Sequence, residues 1–237
     1  MYLKMKVSVI IPSYNAKPEY LTEAIGSVIN QTVKPYEIII VDDGSDAPIM
    51  GTFASSADNI KIIRNEKNMG IGFSRQRGVD NATGDYITFL SSDDIWDEKY
   101  LEIMIKTAKE QPNKILYSNY FMINEKSKII ATARVKGYDN HEDFCVACLD
   151  SAYKNTMFVN FSTTFFPKKV FEKLKFKYRF GEDLYFLLIS MRDFEYYFVQ
   201  DYLLKYRAVD NTTSRIRHKI PENNDKIIKE VREYWER

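Results

Sequence analysis

The chain has 237 residues, of which 45% are apolar and 28% charged, with a formal net charge of +1. That length can bury a full core as one domain with an appended subregion, and the near-neutral balance gives no global field to draw in nucleic acid or an acidic polymer. No apolar run approaches the roughly 20 residues that span a bilayer.

The opening MYLKMKVSVIIP has an apolar run too short for a signal peptide and no small-residue cleavage site, so a cytoplasmic location is expected. Residues Val7 to Ile11 read as a strand ended by Pro12. Leu21, Ala24, Ile25 and Val28 recur at helical spacing across 19–29. A strand follows over 37–41, then a helix with Asp46 as its N-cap. Strands at 60–63 and 86–90 alternate with helices at 72–81 and 97–110, the last capped by Asp97. This rhythm predicts an α/β fold, a doubly wound and mostly parallel sheet with right-handed crossovers.

Past Pro112 the pattern changes. Segments 114–123 and 128–134 read as a hairpin with its turn near 124–127. A helix over 142–153, an extended stretch at 161–166 and a helix over 180–191 starting at Gly181-Glu182-Asp183 follow. Short strands at 196–200 and 202–206, a basic segment at 210–219 and an amphipathic helix over 221–235 complete the chain. Pro221 suits that helix's first turn.

Two strand ends carry the chemistry. The run Ile38-Ile39-Ile40-Val41 delivers Asp42 and Asp43 before Gly44-Ser45, and YITFL (86–90) delivers Ser91-Ser92-Asp93-Asp94. Charge is expensive to bury, so acids at strand ends point to a crevice that holds a polar, phosphorylated ligand or a metal.

The only cysteines, Cys145 and Cys148, have no second ligand pair and read as buried structural thiols on one helical face. The 14% aromatic content, dense after residue 115, reads either as core or as a groove where rings stack on sugars or bases.

In order and spacing, VSVIIPSYN (7–15), VDDGSD (41–46), NMGIGFSRQRG (68–78), GDYITFLSSDD (84–94) and GED (181–183) resemble family 2 glycosyltransferases of the GT-A fold. The resemblance covers about residues 5 to 207. It implies a nucleotide-sugar-binding half (1–111), an acceptor-binding half (112–237) and inverting transfer of a sugar, most often from a UDP-sugar donor, to an acceptor hydroxyl. Pro12, Ser13 and Tyr14 would line the base pocket, with Asp43 accepting from the uracil N–H and Asp42 either structural or ribose-facing. Asn68, Gly70 and Arg75 fall in the family's Asn-x-Gly-x-x-x-Ala-Arg pattern, and the Arg75 guanidinium would reach the base or diphosphate, the bland alternative being a surface ion pair.

In the family's DxD motif, Asp93 matches the acid that ligates Mn²⁺ or Mg²⁺, Ser92 can touch ribose, and Ser91 replaces the first acid with a neutral oxygen. Weaker metal affinity follows as an expectation. Asp183 matches the catalytic base, with Glu182 orienting or substituting for it; both acids would also suit a helix N-terminus without catalysis. The family's YR-x-H segment reads YRAVDNTTS (206–214), with Val209 in the histidine's place. Arg207, Arg215, Arg217 and Lys219 could meet the diphosphate or an anionic acceptor, or form a solvated basic loop.

A Gln-x-x-Arg-Trp signature is absent, which implies a non-processive enzyme. The acceptor expected is a saccharide or lipid-linked saccharide of bacterial surface polysaccharide or lipopolysaccharide synthesis. Peripheral membrane contact through the Tyr/Phe-rich half or the 221–235 helix is a further expectation. No G-x-G-x-x-G follows the first strand and no G-x-x-x-x-G-K-[ST] occurs, so dinucleotide oxidoreductases and P-loop NTPases do not fit. A nucleotidyltransferase would want a Gly-rich, basic loop after strand one, also missing. The alternative from another class is a non-catalytic nucleotide-sugar-binding protein.

Overall fold

The computed structural model describes residues 5–49, 59–153, 159–208 and 221–236. Strands β1 (Val7–Ser13), β2 (Glu37–Asp42), β3 (Ile60–Arg64) and β4 (Tyr86–Phe89) are parallel and lie in the order β3-β2-β1-β4. Between them run helices α1 (Pro18–Ile29) and α2 (Ile71–Asn81). The chain continues through β5 (Ile95–Trp96), α3 (Tyr100–Glu110), β6 (Ile115–Ile123), β7 (Ile129–Ala133) and α4 (His141–Tyr153). Then come a 3₁₀ turn (Phe161–Thr163), β8 (Phe165–Pro167), α5 (Lys169–Lys173), α6 (Glu182–Asp193), β9 (Tyr196–Arg207) and α7 (Pro221–Trp235).

The sheet extends from β4 through β8, β6 and β9 to β5, with β7 on β6. β8 is antiparallel to both β4 and β6, and β9 is parallel to β6. Two reversals restore direction, so β6 and β9 end on the same edge as β1, β2 and β4. That edge carries Asp42 and Asp43 after β2 and Asp93 and Asp94 after β4.

Both faces of the parallel strands are covered, which is why their sequences are apolar without alternation. Val9, Ile11, Ile38 and Ile40 pack with Leu21, Ile25, Leu101 and Met104 of α1 and α3. On the other face Ile10, Ile39, Val41 and Phe89 pack with residues of α2, α4, α6 and α7. Each such side chain contributes about 1.5–3 kcal/mol of burial. Most rings after residue 115 belong to this second layer; Phe176 and Phe186, for example, stack with centroids 4.4 Å apart. Cys145 and Cys148 are free and buried there, and burial pushes the Cys145 thiol up to about 11.

Several boundaries differ from the sequence reading, each for a local reason. Pro12 does not end β1, which runs to Ser13. Ile10 O accepts from Leu90 N on the β4 side, and Ser13 O accepts from Asp43 N on the β2 side. By alternation Pro12 faces the β4 side just beyond the end of β4, where no ladder bond is lost. Asp97 is not the cap of α3; its side chain accepts from Lys99 N, and the helix starts at Tyr100 after the unforeseen β5. Residues 161–163 are a 3₁₀ turn rather than extended. The two short strands expected over 196–206 are one strand, β9, interrupted by register shifts opposite Asn119, whose Nδ2 donates to Gln200 O at 2.7 Å. That bulge breaks the apolar pattern. The helix expected after Asp46 lies largely outside the described residues; within them, 47–49 are not helical.

Candidate active site

At the end of β2, Asp43 organises a loop. Its carboxylate accepts from Asn65 Nδ2 at 2.7 Å, Met69 N at 2.9 Å and Gly70 N at 2.8 Å. This pulls the 65–70 segment against the ends of β1 and β2. Gly70 has φ +98°, and a Cβ there would fall 2.3 Å from Arg179 Cγ, so glycine is required. Beside Asp43, Ser13 is buried and its Oγ meets no hydrogen-bond partner among the described residues, while the Tyr14 ring stands exposed.

Asp42 turns the other way and is spent inside the protein. It accepts from Ser45 N at 2.9 Å and Ile49 N at 3.3 Å, and pairs with Arg64. Burial works against its ionisation, but the Ser45 hydroxyl and amide, the Ile49 amide and Arg64 outweigh it and hold the carboxyl below its usual range. Of the two roles left open for Asp42, the geometry fits the structural one.

After β4, Ser91, Ser92 and Asp93 are half-buried and Asp94 is buried. Asp94 accepts from Ser162 Oγ at 3.0 Å and from Arg207 N at 2.9 Å, and Ser162 Oγ accepts from Ser91 N at 3.2 Å. Burial raises the Asp93 carboxyl; burial and then the charge of Asp93 raise that of Asp94 well above its usual range.

Arg207 is 0% exposed, which corrects the expectation that it meets diphosphate or acceptor. Its Nε donates to Asp93 O at 2.8 Å and its Nη1 to Asn124 O at 3.0 Å and Ser127 Oγ at 3.1 Å. Nη2 pairs with Glu23 at 2.5 Å, and the guanidinium lies 4.1 Å from the centroid of the Tyr20 ring. Every nitrogen is engaged inside the fold, and the result is a pinned Asp93 turn. Arg215, Arg217, Lys219 and Val209 lie outside the described residues.

The third group stands on α6, whose first turn follows Gly181 at φ +75°. Glu182 is 0% exposed and pairs at 2.5 Å with Arg75 of α2, itself 4% exposed. The Arg75 guanidinium lies 4.3 Å from the Phe161 ring centroid. Arg75 is therefore not a surface ion pair, and its guanidinium also lies 6.0 Å from the ring centroid of Phe89, the last residue of β4. A Cβ on Gly72 would fall 2.1 Å from Tyr178 O, so α2 and the segment before α6 are in backbone contact. Asp183 is half-buried, and its Oδ1 accepts from Leu184 N at 2.7 Å.

One chain of contacts thus joins the three acid positions. Asp43 holds Gly70; Gly72 meets the segment that carries Glu182; Arg75 bridges Glu182 to Phe161; and Ser162 holds the turn of Ser91 to Asp94. Asn68 joins the same loop through Arg179 Nη2 at 2.6 Å. Sequence reasoning missed Asn65 and Ser162, which carry no local signal, and it quoted Asp94 without giving it a role.

Comparisons with known proteins show the family and the fold. The family described as Glycosyl transferase family 2 matches residues 8–175. Glycosyltransferase GlyA of Streptococcus pneumoniae is 30% identical over 200 residues, which is 78% of this chain but 28% of GlyA. The chain likewise spans 21% of an uncharacterized glycosyltransferase of Rickettsia felis. The Escherichia coli UDP-Glc:alpha-D-GlcNAc-diphosphoundecaprenol beta-1,3-glucosyltransferase WfgD is 32% identical over 167 residues, covering 69% of this chain and 66% of that protein. Among solved structures, S. aureus TarS 1-349 in complex with UDP-GlcNAc superposes with a TM-score of 0.75 over 97% of this chain and 66% of that one, at 18% identity, a likeness of fold. With the family matched over more than half its length and that likeness of sheet and helices, the chain belongs to glycosyl transferase family 2 and has the GT-A fold.

Proposed function

We propose that the chain moves a single sugar from a nucleotide-diphosphate donor, a UDP-sugar, to an acceptor hydroxyl with inversion. The observation that carries this reading is the contact chain joining the Asp43 loop, the Asp93 turn and the first turn of α6 on one sheet edge in a family 2 protein. Two relatives point the same way. The TarS structure holds UDP-GlcNAc, and the name of WfgD describes glucose transfer from UDP-Glc to a diphosphoundecaprenol-linked sugar. A saccharide or lipid-linked saccharide acceptor in bacterial surface polysaccharide synthesis fits that chemistry. Among the described residues no helix is long and apolar enough to cross a membrane.

Ser13, Tyr14 and the loop held by Asp43 receive the nucleoside: a buried hydroxyl in want of a partner and an exposed ring suit a base and its sugar. Among the described residues no three His, Cys, Asp or Glu side chains form a ready-made metal cage. A single carboxylate on a pinned turn, Asp93, nonetheless fits Mg²⁺ or Mn²⁺, hard cations that take one or two carboxylates together with substrate phosphate oxygens. Such an ion, when bound, neutralises charge on the departing diphosphate. Asp93 would hold it, with Ser91 and Ser92 offering neutral oxygens. Asp183, half-buried in the first turn of α6, takes the acceptor proton. Glu182, sealed against Arg75, fixes that turn rather than exchanging protons.

Release of UDP from UDP-glucose and UDP-galactose with Mn²⁺, with and without saccharide acceptors, tests the reading. Asp183→Asn should lower acceptor-dependent turnover about 10²–10⁴-fold while leaving UDP binding intact. Ser91 in place of an acid favours one second reading, a nucleotide-sugar-binding protein without catalysis. It would bind UDP and release none from any donor in the panel.

A further inference from the structure

Three exposed apolar side chains, Met69, Phe73 and Phe180, stand on two segments that touch. The glycine contacts of Gly70 with Arg179 and of Gly72 with Tyr178 O run the 69–73 backbone along 178–180. Phe73 is 47% and Phe180 41% exposed. The run Lys175-Phe176-Lys177-Tyr178-Arg179-Phe180 alternates cation with ring; Phe176 turns into the core, and Lys175, Lys177 and Arg179 face out. Lys175 and Lys177 pair with Asp80 and Glu230. Among the described residues no carboxylate pairs with Arg179 or with the exposed Lys67 nearby.

Exposed apolar residues scattered singly are ordinary. Here exposed apolar side chains stand beside Arg179, whose guanidinium lies 5.6 Å from the Phe180 ring centroid, with Lys67 two residues before Met69, the chemistry that enters the headgroup zone of an anionic bilayer. A symmetric contact between two copies would set Lys67 and Arg179 against themselves, so negative charge complements this patch better than a second copy does. Of the two surfaces expected from sequence, the α7 helix is engaged and the aromatic half is mostly core, with Phe180 one of its exposed rings. Ile227, Ile228 and Val231 of α7 are buried against the body, Trp235 Nε1 donates to Leu188 O, and most C-terminal rings are core.

We infer that the surface of Met69, Phe73 and Phe180, with Lys67 and Arg179, seats on an anionic lipid bilayer. Phe180 lies three residues before Asp183, so docking there brings the first turn of α6 to the membrane. The meaning of that orientation for a lipid-linked acceptor rests on the transfer reading; lipid binding itself does not.

Co-sedimentation with phosphatidylcholine vesicles, and with vesicles that also contain phosphatidylglycerol, tests this. The protein should bind the anionic vesicles and be released by added salt. Lys67→Ala with Arg179→Ala should weaken binding about thirtyfold, each cation near the surface being worth about a factor of five. Phe73→Ser with Phe180→Ser should weaken it comparably and keep the thermal shift on adding UDP, which shows the fold intact. Failure of the wild type to bind anionic vesicles overturns the inference, and so does undiminished binding by both variants. Self-association without lipid that the Phe variants abolish also overturns it, in favour of a contact between copies. If no donor is ever turned over while vesicles are bound, the transfer reading alone fails.

Discussion

Arg75 and Arg207 are both sealed inside the protein next to the candidate site, yet they are different devices. Arg75 faces a carboxylate as buried as itself, Glu182, and an aromatic ring. Arg207 spreads its donors over backbone carbonyls of two turns, and its charge partner, Glu23, is 41% exposed. The first is a closed ion pair that joins α2 to α6. The second is a fork that sets the shape of the Asp93 turn. Where the counter-charge sits decides what each arginine is worth: a sealed partner makes stability depend on the pair, whereas carbonyl partners make loop geometry depend on the arginine.

The largest effect expected is on the closed pair. Glu182→Ala leaves a guanidinium buried without its carboxylate, and about 3–5 kcal/mol of stability should be lost in urea unfolding. The double variant Arg75→Met with Glu182→Leu keeps volume and removes both charges, so it should recover to within about 1 kcal/mol of wild type. It should also retain UDP binding. Loss of UDP binding in a double variant of normal stability would place Arg75 on the ligand and erase the contrast with Arg207.

Arg207→Lys addresses the fork. An ammonium cannot reproduce donors aimed at Asp93 O, Asn124 O and Ser127 Oγ together. If Asp93 holds a cation, an outer partner of this kind is worth about 10–100-fold in metal affinity. Titration of Mn²⁺ in the presence of UDP, followed by electron paramagnetic resonance, should show that loss, whereas UDP binding without metal should be nearly unchanged. Equal weakening in both titrations would mean that Arg207 supports the whole edge rather than the Asp93 turn.

These two arginines also mark the limit of what sequence carries. Strands such as 38–41 and helices such as 221–235 were legible because apolar spacing is local, and the acids at strand ends were legible because buried charge needs a reason. Ion partners are not local: Arg75 finds Glu182 across 107 positions and Arg207 finds Glu23 across 184. A basic residue in a ligand-like motif therefore reads as ligand-facing until the fold supplies its carboxylate. Pro12 and the β9 bulge misled for a related reason. Proline is tolerated only where a neighbouring strand has already ended, and a bulge imitates a chain break, and both facts belong to the sheet rather than to the segment.

A third pair falls between the two. Arg64 is 39% exposed and Asp42 1%, so here the acid is sealed and the base is wet. The Asp42 carboxyl is held below its usual range in the folded protein, so its contribution is fully present above the ordinary carboxylate pKa and lost as pH falls through the lowered one. Asp42→Ala should cost about 1–3 kcal/mol at neutral pH through the released amides of Ser45 and Ile49. The gap between variant and wild type should close as the pH is taken below about 4. A gap that does not change with pH would show that packing, not the charge, is what Asp42 supplies.

The smallest effect belongs to Glu23→Gln. Glu23 accepts from Arg207 Nη2 and Ser127 Oγ, but it faces water, which screens the pair and would solvate either partner left behind. Glutamine keeps an acceptor for both donors and removes only the charge. The change should cost less than about 1 kcal/mol, diminish further in high salt, and leave Mn²⁺ affinity near wild type because the carbonyl contacts of Arg207 persist. A loss as large as that of Glu182→Ala would mean that the Arg207 guanidinium depends on a counter-charge after all, and the two arginines would then be one device used twice.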